Sequence, residues 1–304
     1  MTKNFFMYLA MLALIASASL VFVRPLKTDV VPEVLSSSRK MLTPIPKLTS
    51  VSQVPIVSAQ AVFVMDVDSG VSLYEKNPDA PFLPASITKI VTALTAKDYF
   101  SMEDILTVIN PAIDGQKMGL VAGEQLSVES LLNGLLVYSA NDAAITFAQN
   151  YPGGTKGFVN AMNMKAGIIG LTDSNFTNSA GIDDLAQVTT ARDMVIAGIY
   201  GMQQPWFAEI VTKQQVFVTS ADGEIKHNIK NTNELLGKVD GVIGIKTGWT
   251  ENARENLVTF VRRNDRTIAI ALLGSQDRFS ETKELIDWIF NSYKWESVEV
   301  ESFE

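Results

Sequence analysis

The 304-residue chain contains no cysteine and a single histidine, His227. The first absence excludes thiol nucleophiles, disulfides and Cys-ligated zinc or iron–sulfur centres, and the second excludes HExxH pairs and other multi-histidine metal sites. A Ser-His-Asp hydrolase would depend on that one histidine, which, flanked by Lys226 and Asn228, reads as a solvated turn residue. An excess of positive charge is also lacking. Lys and Arg number 25 against 33 Asp and Glu, a net charge of −8. With no basic cluster to contact phosphates, the chain does not read as a nucleic-acid binder. What remains is 47% apolar and 19% charged, a folded chain long enough for one large or two ordinary domains.

The charge is unevenly placed. Residues 1–57 hold six basic side chains (Lys3, Arg24, Lys27, Arg39, Lys40, Lys47) and two acidic ones (Asp29, Glu33), leaving −12 for the remainder. Phe5 to Val23 is an uncharged run. As a helix at ~1.5 Å per residue it would extend about 28 Å, close to the ~30 Å hydrocarbon core of a bilayer. Residues 1–24 therefore read as an N-terminal membrane anchor or signal segment. Ala16-Ser17-Ala18 offers a signal-type cleavage site, but Leu20 to Val23 carry the apolar run past it and favour a single-pass anchor. Residues 25–58, with five of the eleven prolines and no glycine, read as an extended linker.

From Ala59 the pattern becomes that of a folded domain, 59–293. Ala61 to Val67, a Ser69-Gly70 turn and Val71 to Tyr74 predict an opening hairpin. Helical spacing dominates from Ser86 to about Tyr200. Asn256 to Arg263, an Asn264-Asp265 turn and Thr267 to Leu273 predict a second hairpin. A helix capped by Ser280 and buried through Leu285, Ile286, Ile289 and Phe290 closes the domain. The fold class is α/β (α+β), with both ends of the domain sharing one sheet. Trp288, Phe290, Tyr293 and Trp295 read as core packing, and residues 294–304 as an acidic tail.

Three short segments carry chemistry. In Pro84-Ala85-Ser86-Ile87-Thr88-Lys89, an i, i+3 spacing at a helix start puts the Lys89 amine on the face of the Ser86 hydroxyl. A serine needs a base before it is a useful nucleophile, and a lysine with a depressed pKa can be one. Tyr138-Ser139-Ala140-Asn141 ends an apolar helix; Ser139 could relay a proton and Asn141 could hold both Lys89 and a substrate amide. Gly244-Ile245-Lys246-Thr247-Gly248-Trp249 lies ahead of a strand, with a cation and a hydroxyl for a carboxylate and glycines that let a ligand approach the backbone. Each segment alone has an ordinary structural explanation.

In this order the three resemble the SxxK, SxN and KTG set of penicillin-recognising serine acyl transferases. With Asp68-Ser69-Gly70, Leu73 to Asn77 and Thr190 to Met194, they resemble specifically the D-alanyl-D-alanine carboxypeptidases, the low-molecular-mass penicillin-binding proteins of peptidase family S11. The resemblance implies a β-lactamase/transpeptidase-like fold: a five-stranded antiparallel sheet with flanking helices and a mostly helical subdomain. It implies Ser86 as the acylated nucleophile, Lys89 as general base, Ser139 and Asn141 as proton relay and amide clamp, and Lys246 and Thr247 as carboxylate partners. The backbone N–H groups of Ser86 and Trp249, next to Gly248, would form the oxyanion hole. The implied substrate is a peptidoglycan stem peptide outside the cytoplasmic membrane, β-lactams are the implied covalent inhibitors, and no metal or cofactor is needed. A protonated Lys246 would push Lys89 toward its neutral form.

Two departures stand out. Asn178-Ser179-Ala180-Gly181-Ile182 replaces the family's usual His-containing turn, and Arg254 stands where a small residue is usual, which suggests that it binds the substrate's terminal carboxylate. No Glu between SxN and KTG has the ExxLN context of a β-lactamase deacylation base. The alternatives are a β-lactamase, an endopeptidase or transpeptidase of the same fold, and a membrane-tethered binding domain with a vestigial site.

Overall fold

The computed structural model describes residues 43–49 and 53–297. The apolar run Phe5 to Val23 lies outside the described residues, and among those described no helix is long and apolar enough to cross a membrane.

Strands β1 (Ile45–Leu48), β2 (Ala61–Asp66) and β3 (Ser72–Lys76) precede the first helix, α1 (Lys89–Tyr99). A small pair, β4 (Ile105–Thr107) and β5 (Gln125–Ser127), leads into α2 (Val128–Asn133), α3 (Asn141–Asn150), α4 (Gly154–Ile168), α5 (Ala191–Met202) and α6 (Pro205–Val211). The chain then forms β6 (Gln215–Thr219), β7 (Lys226–Lys230), β8 (Val242–Thr250), β9 (Arg254–Arg263), β10 (Arg266–Ser275), α7 (Arg278–Ser292) and β11 (Tyr293–Glu296).

Five strands make one antiparallel sheet in the order β3-β2-β10-β9-β8. Its middle is buried on both faces, so its strands read as nearly continuous apolar runs. Along β10, Ile268, Ile270 and Leu272 face Leu285, Ile286 and Ile289 of α7, while Ala269, Ala271 and Leu273 join the core built around Ile90 and Leu94 of α1. The predicted hairpins are both present. Asn264 and Asp265 have φ of 50° and 58°, the left-handed pair that a two-residue turn between β9 and β10 needs.

Three expectations are corrected. The cap of α7 is Asp277, whose side chain accepts from Ser280 N, because a cap precedes the first helical residue. The stretch read as helical from Ser86 to Tyr200 includes β4 and β5, strands of three residues each, too short for alternation to show. The domain edge also reaches into both flanking segments: Ile45–Leu48, within the stretch read as linker, pairs antiparallel with Tyr293–Glu296 at the start of the acidic tail. Trp295 Nε1 donates to Asp66 Oδ1 and Tyr293 OH to Leu73 O, so the aromatic cluster has its polar edges satisfied within the fold.

Candidate active site

Edge strand β8, the N-terminal end of α1 and the turn before α3 converge on a cleft of about 660 Å³, lined by Ser86, Ser139, Asn141, Thr247, Gly248 and Trp249. The lysines lie beneath its walls. Lys89 and Lys246 are 0% and 1% exposed. The KTG segment is part of β8 itself and does not precede a strand.

Ser86 sits in a 3-10 turn, Ala85–Thr88, that runs directly into α1. Ala85 holds φ at +48°, a left-handed geometry costly for a residue with a side chain. Asn256 of β9 fixes this turn, its amide donating to Leu83 O and Pro84 O while its oxygen accepts from Gly274 N. Gly248 lies against the same turn. A Cβ there would come within 3.1 Å of Ser86 N and Pro84 O, which only glycine avoids.

Lys89 Nζ lies 2.8 Å from Ser86 Oγ and donates to Ala180 O at 2.6 Å. Burial pulls its pKa down to about 7, against the opposing attraction of Asp142. Lys246 donates to Thr247 O at 2.9 Å, and its pKa is also pushed well below the ordinary value, first by burial and then by repulsion from Lys89 and Arg278. The expected division, Lys246 protonated and Lys89 neutral, is therefore not set by the protein's own charges. Asp142 favours charge on Lys89, while two cations oppose it on Lys246.

The expected contact between Asn141 and Lys89 is absent; the carbonyl of Ala180 takes that place. It is aimed by Asn178, whose Oδ1 accepts from Ala180 N, Gly181 N and Ile182 N. The departing loop thus has a defined task, holding the Lys89 amine. Ser139 follows a π-helical turn, Gly134–Tyr138, and adopts φ of +68°. Asn141 opens α3 with its Nδ2 donating to Asp114 O at 2.5 Å. Since a carbonyl can only accept, the carboxamide oxygen is the free end, and Asn141 Oδ1 is a buried acceptor without a partner among the described residues.

Arg254 is not part of the cleft lining. It pairs with Thr250 at the far end of the β8–β9 hairpin, where its side chain is exposed. A different arginine lines the cleft: Arg278, the first residue of α7, donates from Nη1 to Gly248 O at 2.8 Å and keeps a buried, unpartnered Nε. Burial lowers its pKa, against attraction from Glu255 and Glu234. A clue was present in the sequence, since a cation in the first turn of a helix opposes the helix dipole and needs another reason to be there. Thr247 Oγ1 shares a hydrogen bond of 2.7 Å with Thr232 Oγ1. His227 is not a solvated turn residue; it is buried on β7, bonded to Glu124 and Met118. Alternation of His227 and Ile229 between exposed Lys226, Asn228 and Lys230 was the available sign.

A serine paired with a buried lysine, beside an Asn acceptor and a Lys-Thr-Gly edge strand on this sheet, defines a serine acyl transferase of the DD-peptidase fold. The chain belongs to peptidase family S11, the D-alanyl-D-alanine carboxypeptidases, whose model matches residues 48–277. It is 33% identical over 262 residues to the D-alanyl-D-alanine carboxypeptidase DacC of Escherichia coli, an alignment covering 80% of this chain and 64% of that protein's length. It is 30% identical to a D-alanyl-D-alanine endopeptidase of Pseudomonas aeruginosa, covering 81% of this chain and 82% of that one. The crystal structure of a D-alanyl-D-alanine carboxypeptidase from Mycobacterium tuberculosis superposes with a TM-score of 0.77 at 30% identity, over 83% of this chain and 98% of the other.

Proposed function

We propose that the protein is a serine-type D-Ala-D-Ala carboxypeptidase that removes the terminal D-alanine from peptidoglycan stem peptides. The observation that carries this reading is the buried Lys89 amine 2.8 Å from Ser86 Oγ with a pKa drawn to about 7. At that value a useful fraction is neutral at physiological pH and able to take the hydroxyl proton.

The terminal carboxylate of the substrate binds at Thr247 and Arg278. Its negative charge favours protonation of Lys246, and a charged Lys246 repels a proton from Lys89. Substrate binding thereby completes the charge division that the protein alone does not impose. The substrate's backbone N–H donates to Asn141 Oδ1. Ser86 Oγ attacks the carbonyl carbon of the penultimate D-alanine as its proton passes to Lys89 Nζ, and the oxyanion is held by the N–H groups of Ser86 and Trp249. Such donors are typically worth ~3 to 4 kcal/mol of barrier. The C–N bond then breaks, and the leaving amine of D-alanine gains a proton from Lys89 through Ser139. Water hydrolyses the acyl-enzyme by the reverse proton route. A β-lactam carbonyl enters the same sequence and leaves a penicilloyl-Ser86 ester; without a glutamate in a deacylation loop, this adduct is long-lived.

Residues 1–24 carry the domain to the outer side of the cytoplasmic membrane, as an anchor or as a cleaved signal; the ~28 Å apolar run and the location of the substrate support this. Protection of the domain from protease added to intact protoplasts would contradict it. The activity test is D-alanine release from a pentapeptide ending in D-Ala-D-Ala, with Ser86→Ala as control. No release by the wild type overturns the carboxypeptidase reading. Release from a cross-linked peptide dimer at a comparable rate favours the endopeptidase instead, an activity named for two of the relatives.

A further inference from the structure

Among the described residues, His227 and Glu124 form the imidazole–carboxyl pair most completely withdrawn from solvent, with side chains 6% and 0% exposed, and neither belongs to the reaction above. Their bonds converge on one loop, 108–124, which joins β4 to β5 and lines the cleft through Asp114, Gly115 and Gln116. His227 Nδ1 lies 3.1 Å from Met118 O and must carry the hydrogen, because the carbonyl can only accept. Nε2 lies 2.7 Å from Glu124 Oε1, and Glu124 Oε2 accepts from Val121 N. The imidazole thus staples the loop at two points. On its other side the loop is held by Asp142, which accepts from the N–H groups of Met118, Gly119 and Leu120. Four residues before Met118, Asp114 O receives Asn141 Nδ2, and Gln116 O receives Asn141 N at 2.7 Å.

We propose that His227, acting with Glu124, is a positioning residue for Asn141: it holds the 114–124 loop in the register at which Asp114 O turns the carboxamide oxygen toward substrate. His227 does not line the cleft, so it acts only through the loop. The proposal rests on the active-site reading above for its kinetic consequence, while the orientation of the Asn141 amide can be observed without turnover. A misplaced positioning group of this kind costs on the order of 10- to 100-fold in rate.

The test follows Ser86 labelling by a fluorescent penicillin together with the side-chain amide resonances of Asn141 in ¹⁵N-labelled protein, identified by their loss in Asn141→Ala. His227→Ala and Glu124→Ala should both slow labelling by about 10-fold or more and shift the Asn141 amide pair. Glu124→Gln should recover most of the rate, since a glutamine amide can donate to neutral Nε2 while its oxygen still accepts from Val121 N. In an Asn141→Ala background, His227→Ala should slow labelling no further, the coupling expected when one residue acts through another. If His227→Ala lowers the yield of folded protein, His227→Gln, which keeps one donor, serves in its place. Wild-type labelling rates in the His227 variants, an unmoved amide pair, or an undiminished loss in the Asn141→Ala background would each overturn the proposal. Failure of the wild type to label or to release D-alanine would count against the active-site reading, and the amide shift would still decide the positioning role.

Discussion

Replacing Lys89 by methionine should make the protein more stable at neutral pH while abolishing acylation. A fall in pKa from 10.5 to about 7 on folding corresponds to a cost of about 4 to 5 kcal/mol at pH 7, where the unfolded chain binds the proton and the native one resists it. Methionine removes that cost and fills nearly the same volume. The offset is the buried Ala180 carbonyl, which loses its donor and costs about 1–3 kcal/mol. A net gain of about 2 kcal/mol is expected at pH 7. The pH dependence separates the two effects, because the orphaned carbonyl is indifferent to pH. Wild-type stability rises as pH increases from 7 toward 10.5, since over that range the unfolded state binds the proton that the native state has given up. The advantage of Lys89→Met should therefore shrink by about 1.4 kcal/mol per pH unit over that window. Urea unfolding of both proteins at pH 7, 8, 9 and 10, followed by tryptophan fluorescence, measures it. A difference that stays flat with pH would refute the depressed pKa, and with it the case for Lys89 as base.

Labelling of Ser86 by a fluorescent penicillin should rise through pH about 7 and level off above it, as Lys89 loses its proton; a rate that falls over this range would contradict the assignment. Arg278→Ala should raise KM for a D-Ala-D-Ala peptide by about 10-fold or more, the scale of one charge-assisted hydrogen bond, whereas Arg254→Ala, whose exposed side chain is not part of the cleft lining, should leave it unchanged in the same steady-state assay. Asp142→Ala should lower stability by about 3 kcal/mol or more, because it strands the buried N–H groups of Met118 and Leu120, and denaturant titration reads the loss.

Both hairpins were legible from the sequence because their signals are local: alternation along each strand and turn residues suited to left-handed backbone. The contact between Ser86 and Lys89 was legible for the same reason, since a three-residue separation at a helix start brings the two side chains together. What was hidden is tertiary. Ala180 contributes a main-chain carbonyl, which no side-chain pattern announces, and it reaches Lys89 from 91 residues away. Arg278 was overlooked in favour of Arg254, which is nearer to KTG in sequence but lies across a hairpin turn from it. Proximity along the chain does not put Arg254 in the cleft lining, whereas Arg278, at a helix start, is part of it. The charge division between Lys89 and Lys246 could not be read either, because it depends on burial and on Asp142.

Strand β2, near the start of the domain, pairs with β10 near its end, with Asp66 opposite Ile268 across roughly 200 residues. Neither face of the sheet can be covered until β10 has been made, since the apolar residues of β10 contribute to both cores. At synthesis rates of about 5–20 residues per second, β2 waits on the order of 10–40 s for its partner. Over that interval the growing chain has no complete core to collapse around. A topology that delays its own folding in this way keeps the polypeptide extended and threadable while it is being made.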